Sequence, residues 1–319
     1  MGMLDVIGKF EVTELVNVWF GRMLVPTERG ELNGPFYHAV YDGFRTPLNP
    51  GDFSTNFGAG GAGMYGRDNG VAFFGKIHPG GTHLQYVGGI YTGTQSGLVG
   101  VGGVGPNSRN SLKYAGRLTW NLLNEEKNPG YYTSGTYYGT AGDILALAVG
   151  GEYQNAAAGS LANPAPFGAF TSDILFEKVL ENKGVITVNA EYKRYWAGNL
   201  ASFTDATSGP GFTNFPIFSG TSFTAYALYL FPQEVGIGRF QPYGRYTFVN
   251  SVHANALDEF EGGLNYVING HNARISTFWR HGNLSTSASN YPGASGFSGP
   301  AGLAGAHQDS FHVALQLQY

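Results

Sequence analysis

Charged side chains in this chain recur at alternate positions within apolar segments, a spacing that draws a row of charge along one face of a strand. Lys113 and Arg117 alternate with Tyr114, Leu118 and Trp120, and Glu191 and Lys193 alternate with Val188, Ala190 and Tyr192. Glu259 and Glu261 oppose Phe260, Leu264 and Tyr266, while Arg274 and Arg280 oppose Ile275 and Trp279. Lys76 and Arg245 take polar-face positions in two further segments. Rows of this kind facing a wet passage select ions by sign, Arg and Lys favouring anions. The seven basic and three acidic residues just named predict a mildly electropositive face and a weak anion preference.

A second charged set lies in the stretch 26–69, where Glu28, Arg29, Glu31, Asp42, Arg45, Asp52, Arg67 and Asp68 sit among Gly, Pro and Asn. Folded inward, such a loop narrows a passage and sets opposed charges across it, giving a transverse field that orients polar solutes. Arg29, Arg45, Arg67 and Asp68 are its candidate constriction residues. The competing expectation is a surface loop packed against a neighbouring subunit.

Other motifs point to less. Gly58 to Gly63 spells GxGxxG, but no strand precedes it and no helical pattern follows, as a dinucleotide site requires. Gly70 to Lys76 approaches a phosphate-binding loop, yet Ile77 stands where Ser or Thr should hold Mg²⁺. The eight histidines (38, 78, 83, 253, 271, 281, 307, 312) show no HExxH-type spacing, so no metal site is expected. No local set unites a nucleophile with a base, although His253 near Asp258 and His307 near Asp309 are the pairs an embedded hydrolase would draw on. The expectation is a protein that is not an enzyme and uses no cofactor.

These faces need strands to carry them, and composition says what kind. Of 319 residues 50 are Gly, aromatics make up 15% and charged residues only 13%, about half the usual share for a soluble domain. No apolar run reaches the roughly 18 residues of a membrane helix. A net charge of −4 argues against nucleic acid as a partner. The lack of cysteine suits an oxidising compartment. At the C-terminus Phe311, Val313, Leu315, Leu317 and Tyr319 alternate with His312, Ala314, Gln316 and Gln318. Charge confined to one face, with a facing row of apolar and aromatic residues, is the rule of a transmembrane barrel, because a charge on the lipid side costs about 2–4 kcal/mol at midplane. Trp19, Trp120, Trp196 and Trp279 are then candidates for the interfacial girdles.

The fold class read here is all-β: a single transmembrane antiparallel β-barrel domain over 1–319. Thirteen strands are legible, near 7–13, 16–25, 70–77, 83–92, 112–122, 143–153, 172–179, 186–193, 221–231, 238–250, 259–268, 273–280 and 310–319. Short connections (78–82, 181–184, 232–237, 269–272) alternate with long ones (26–69, 93–110, 154–171, 197–220, 284–309), as periplasmic turns alternate with outer loops. The 124–142 connection is long for its class and 251–256 short. Bacterial barrels of one chain have even strand numbers. Thirteen therefore predicts upstream strands, one giving a total of fourteen and three a total of sixteen; sixteen is favoured because 26–69 then becomes the third outer loop, which in general porins folds inward. No leader precedes Leu4, which predicts a processed or truncated form of an exported chain.

Val18-Trp19-Phe20-Gly21-Arg22, followed by Pro26, Arg29 and Leu32-Asn33-Gly34-Pro35-Phe36-Tyr37, resembles porins related to the phosphate-selective porin O and porin P family. Gly66-Arg67-Asp68-Asn69-Gly70-Val71 is similar to the same family, as are Tyr131-Tyr132-Thr133-Ser134 and Tyr137-Tyr138-Gly139. The resemblance implies a sixteen-stranded, water-filled, usually homotrimeric channel in a Gram-negative outer membrane, surrounded by lipid and lipopolysaccharide and passing small ions or solutes. Relatives carry strands before the equivalent of Leu4, and no Lys/Arg ladder here maps onto a phosphate filter. The rival expectations are a barrel that sheathes an electron-transfer partner and an outer-membrane hydrolase.

Overall fold

The computed structural model describes residues 5–49, 66–93, 111–159, 164–197, 218–252, 256–284 and 306–318. Thirteen antiparallel strands form one sheet in chain order. They are β1 (Val6–Glu11), β2 (Asn17–Leu24), β3 (Arg67–Ile77), β4 (His83–Tyr91), β5 (Lys113–Asn121), β6 (Ile144–Gly159) and β7 (Pro164–Val179), then β8 (Val185–Ala197), β9 (Gly220–Leu230), β10 (Arg239–Ser251), β11 (Leu257–Asn269), β12 (Ala273–Gly282) and β13 (Gln308–Leu317). Helix is limited to one α-turn, α1 (Arg29–Leu32), and a 3₁₀ turn at Pro79–Gly81. In a meander of this length β1 and β13 run in the same direction, and among the described residues no ladder joins them.

Burial is inverted relative to a soluble sheet. On β5 Lys113, Arg117, Thr119 and Asn121 are buried while Tyr114, Leu118 and Trp120 are exposed. On β8 Thr187, Asn189, Glu191 and Lys193 are buried, with Val188, Tyr192 and Trp196 outside. The same alternation holds on β11 and β12. On β13 Phe311, Val313, Leu315 and Leu317 are exposed by more than half, whereas Gln316 is buried. Polar inside and apolar outside is the distribution of a transmembrane barrel wall. Among the described residues no helix is long and apolar enough to cross a membrane.

The girdle expectation holds for three tryptophans. Trp120 lies at the short-turn end of β5 and donates its indole N–H to Thr82 Oγ1 at 2.9 Å. Trp196 and Trp279 lie toward the long-loop ends of β8 and β12, outward and exposed. An amphipathic ring at each rim fits the water boundary. Trp19 differs: it is fully buried, packed on Phe74, Tyr131 and Tyr132 at ring separations of 5.1, 5.4 and 5.5 Å. On β2 it is Phe20, the next residue, that faces outward.

The stretch read as a long loop over 154–171 is mostly strand. β6 runs on to Gly159 and β7 starts at Pro164, with Ala158 opposite Ala165 and Gly159 opposite Pro164 after a register shift beyond Gln154. Ala, Gly and Pro imitate loop composition there, yet their small side chains are compatible with the ladder.

Candidate functional site

The inner face is occupied by two segments that leave the sheet and fold back against it. The first, 25–49, follows β2. Its Thr27 carbonyl accepts hydrogen bonds from Thr171 Oγ1 of β7 at 2.5 Å and from Arg117 of β5 at 3.3 Å. That approach depends on Gly150 of β6, where a Cβ would stand 2.1 Å from the Thr27 oxygen. In α1, Arg29 is fully buried and donates to Asp173 at 2.9 Å, to both carboxylate oxygens of Glu126 at 2.7 Å and to the Ser134 carbonyl at 3.1 Å. Gly30 N–H donates to Glu191 at 3.1 Å. Asp173 and Glu191 face each other directly across β7 and β8. Two acids so placed repel, and the cations Arg29, Arg117 and Lys193 make the pairing tolerable.

Further along, the segment reaches the opposite part of the wall. Arg274 donates to the His38 and Ala39 carbonyls at 3.0 and 2.8 Å, and Gln316 of β13 donates to the Phe36 carbonyl at 2.8 Å. Arg45 forms a two-pronged pair with Glu259. Asp42 pairs with Arg280 at 2.8 Å, and its carbonyl accepts from Arg245 at 2.6 Å. Arg245, Glu261 and Arg280 are registered neighbours on β10, β11 and β12, with Glu261 bonded to both arginines at 2.6 Å. Asn49 closes the circuit at Glu152 of β6 (2.7 Å) and Lys113 of β5 (3.3 Å).

The second segment, 124–142, enters from the short-turn end between β5 and β6. Thr136 Oγ1 and the Tyr137 N–H donate to Glu177 at 2.7 and 3.0 Å, and Gly139 N–H to its other oxygen at 2.8 Å. Tyr131 donates to the Leu24 carbonyl at 2.6 Å. The two segments also bond to each other, Thr133 N–H to the Leu32 carbonyl (3.2 Å) and Gly135 N–H to the Tyr37 carbonyl (2.8 Å).

Of the ten wall residues read from alternation, Lys113, Arg117, Glu191, Lys193, Arg245, Glu259, Glu261, Arg274 and Arg280 are buried on the inner face, and Lys76 is partly exposed beside Glu125 at 3.1 Å. Each basic member is engaged: Lys113 by Asp68 and Glu152, Arg117 by Asp173, Lys193 by Glu28, and Arg274 by carbonyls and Gln316. The excess of base over acid does not survive. Among the described residues ten Arg and Lys side chains and ten Asp and Glu side chains are buried. The sequence reading had left Glu152, Asp173 and Glu177 off the inner face. Of the candidate constriction residues, Arg29 and Arg45 lie in the inward segment. Arg67 and Asp68 do not: they open β3, Arg67 pairing with Asp5 at 2.9 Å and Asp68 accepting from Thr92 at 2.7 Å. Asp52 and the GxGxxG stretch fall outside the described residues, and Gly70–Lys76 is a strand.

Protonation inside the first segment is uneven. Burial, aided by the neighbouring Glu28, pushes Glu31 up to about 8. Burial also opposes ionisation of Glu28, but the Lys193 charge and hydrogen bonds to Glu191, Lys193 and Glu31 together outweigh it and hold that carboxyl below its ordinary value. Burial depresses His38 to about 3 and His271 to about 4, so both are neutral near pH 7. His271 Nε2 lies 3.1 Å from Ser134 Oγ and 2.9 Å from the Thr136 carbonyl. A contact with a carbonyl requires Nε2 to carry the proton. In that tautomer it is no base for Ser134, and its Nδ1 has no hydrogen-bond partner. At the long-loop end His307 pairs with Asp258 (3.5 Å) and His281 with Asp309 (3.1 Å), rather than His307 with Asp309; His253 lies outside the described residues.

No protein-family model matches the chain, and no curated protein matches it. Among solved structures it is similar to outer-membrane expressed OmpT of Vibrio cholerae, at 12% identity and a TM-score of 0.43, over 96% of this chain and 77% of that one.

Proposed function

We propose that the protein is a porin of the Gram-negative outer membrane, a passive diffusion channel for small ions or hydrophilic solutes. The observation that carries this reading is the 25–49 segment, folded against the inner face and bonded by charged side chains to strands on both sides of it. A loop so held narrows the passage and fixes opposed charges within it. The resemblance of Trp19–Arg22, Leu32–Tyr37 and Tyr131–Ser134 to the porin O and porin P family supports the same reading and adds a homotrimer set in lipid and lipopolysaccharide. The solute gradient supplies the free energy, and no cofactor enters. With buried basic and acidic side chains equal in number, a weak anion preference would have to come from acids that hold a proton, as Glu31 does, and from where the remaining charges stand along the passage.

A second reading is favoured by one observation: the wall cations are engaged by wall and segment partners, and the two inward segments bond to each other. On that reading the barrel is a structural sheath whose lumen does not conduct.

Single-channel recording in a planar bilayer separates the two. Discrete conductance steps support the porin, and the sign of the reversal potential in a KCl gradient reports its preference. A folded, heat-modifiable barrel that never conducts would leave the sheath.

A further inference from the structure

At the short-turn end three connections converge on one spot. The β3–β4 turn brings His78 and His83 together with their Nδ1 atoms 2.7 Å apart and their rings crossed at 80°. Glu125, just after β5, places Oε1 at 3.2 Å from His83 Nδ1 and 3.8 Å from His78 Nδ1. The β1–β2 turn contributes Glu14, whose Oε1 lies 3.0 Å from His78 Nε2.

The 2.7 Å contact between the two Nδ1 atoms needs a hydrogen on one of them, and a metal at this point would displace it, leaving both Nδ1 lone pairs free and the ring protons on Nε2, where Glu14 can accept from His78. Glu125 Oε1 is shielded from solvent and meets no hydrogen bond, while its other oxygen is held by Lys76 at 3.1 Å. Three atoms able to ligate therefore face one another. A carboxylate that fixes the far nitrogen of a ligating histidine is the standard outer support of a metal site. Two imidazole nitrogens and one carboxylate, with a position left open, suit zinc, whose Zn–N bonds of about 2.0–2.1 Å separate two nitrogens by about 3.3 Å in a tetrahedron. The turn needs to open by roughly half an ångström from the present spacing to reach that geometry.

We propose that His78, His83 and Glu125 bind a divalent zinc-like cation, with Glu14 orienting His78 and Lys76 orienting Glu125. The site lies at the short-turn end, and the proposal does not depend on whether the barrel conducts. It would clip the β1–β2 turn and the β3–β4 turn to the root of the second inward segment.

The test is titration of the metal-stripped, detergent-folded barrel with Zn²⁺ by calorimetry, repeated with Co²⁺ for its visible absorption. The expected result is one site with a Kd below about 1 μM, weakened at least 100-fold in the His78→Ala/His83→Ala double variant and about 10-fold in Glu14→Gln, the range seen for outer-support residues. His312→Ala, on β13 at the far end of the strand order, serves as the control and leaves binding unchanged. Heat-modifiable migration shows that each variant folds, and His83→Gln keeps a polar side chain in the turn should the double variant fail to do so. Loss of Zn²⁺ binding in folded His83→Gln supports the site. Absence of binding to the wild-type barrel, or unchanged affinity and stoichiometry in the folded double or His83→Gln variant, overturns it.

Discussion

The 25–49 segment is docked in two places, and the two docks are built differently. Around α1 the wall presents acids, Asp173 opposite Glu191, and the segment brings Arg29. Around Asp42 and Arg45 the wall presents an alternating row, Arg245–Glu261–Arg280 with Glu259 alongside, and the segment brings one charge of each sign. The first dock is gripped from both sides, since Glu126 and Ser134 of the second inward segment also hold Arg29. The second has no such backing, but its partners overlap: Arg280 reaches Asp42, Glu259 and Glu261. At the first dock the segment's one buried cation, Arg29, meets the wall acids beside the Glu28–Lys193 pair; at the second the task is spread over a network.

That difference predicts unequal costs. Arg29→Ala leaves Glu126 with the Tyr137 hydroxyl and no cation, and Asp173 dependent on Arg117 alone, at a largely buried site. Breaking a buried pair from one side costs about 3–5 kcal/mol, and the loss should appear as a large drop in the thermal stability of the detergent-folded barrel. Arg45→Ala should cost less, about 1–3 kcal/mol for acceptors that keep part of their charged hydrogen bonding, because Arg280 still serves Asp42 and Glu259. If the two variants melted alike, the contrast between a single cation and a network would be gone. The effect that is smallest near pH 5 concerns Glu31. Its carboxyl is raised to about 8 in the folded protein, so the folded state holds a proton that the unfolded chain has released above its ordinary value near 4.5. Stability from this group is therefore present at low pH and lost as pH climbs from about 5 to 8. Glu31→Gln should remove that slope while barely altering stability at pH 5. A variant that melts with the wild-type pH profile would count against a protonated Glu31.

The faces of β5, β8, β11 and β12 were legible because charge on a membrane-facing side is so costly that alternation there is nearly free of exceptions. The inward turn of the first segment was legible from its length and charges. Other features left a fainter trace. The 124–142 connection stood out as too long for a short-turn side, but nothing local says that Thr136 and Gly139 will find Glu177. On β7 the inward Asp173, Leu175 and Glu177 mix acid with leucine, and Ser172, Ile174 and Phe176 are mixed too, so neither face is marked as the polar one. Gly150 has no side chain to mark a face, although it is the place where the Thr27 carbonyl passes close to the wall. His78 and His83 flank a Pro-Gly-Gly turn, and residues on either side of a hairpin turn meet. That signal was available in the spacing; the arrival of Glu125 from another connection was not.

The inward segment also implies an order of events. Arg29 and Gly30 find partners 144 and 161 residues further along the chain, and Arg45 finds its partner 214 residues away. Contacts that span so much sequence form late, since the closure entropy of the intervening chain must be met first. Until the segment enters, Asp173 is left to Arg117 and Glu259 to Arg280, and that entry, which needs β8 and β11 in place, becomes the closing step of assembly.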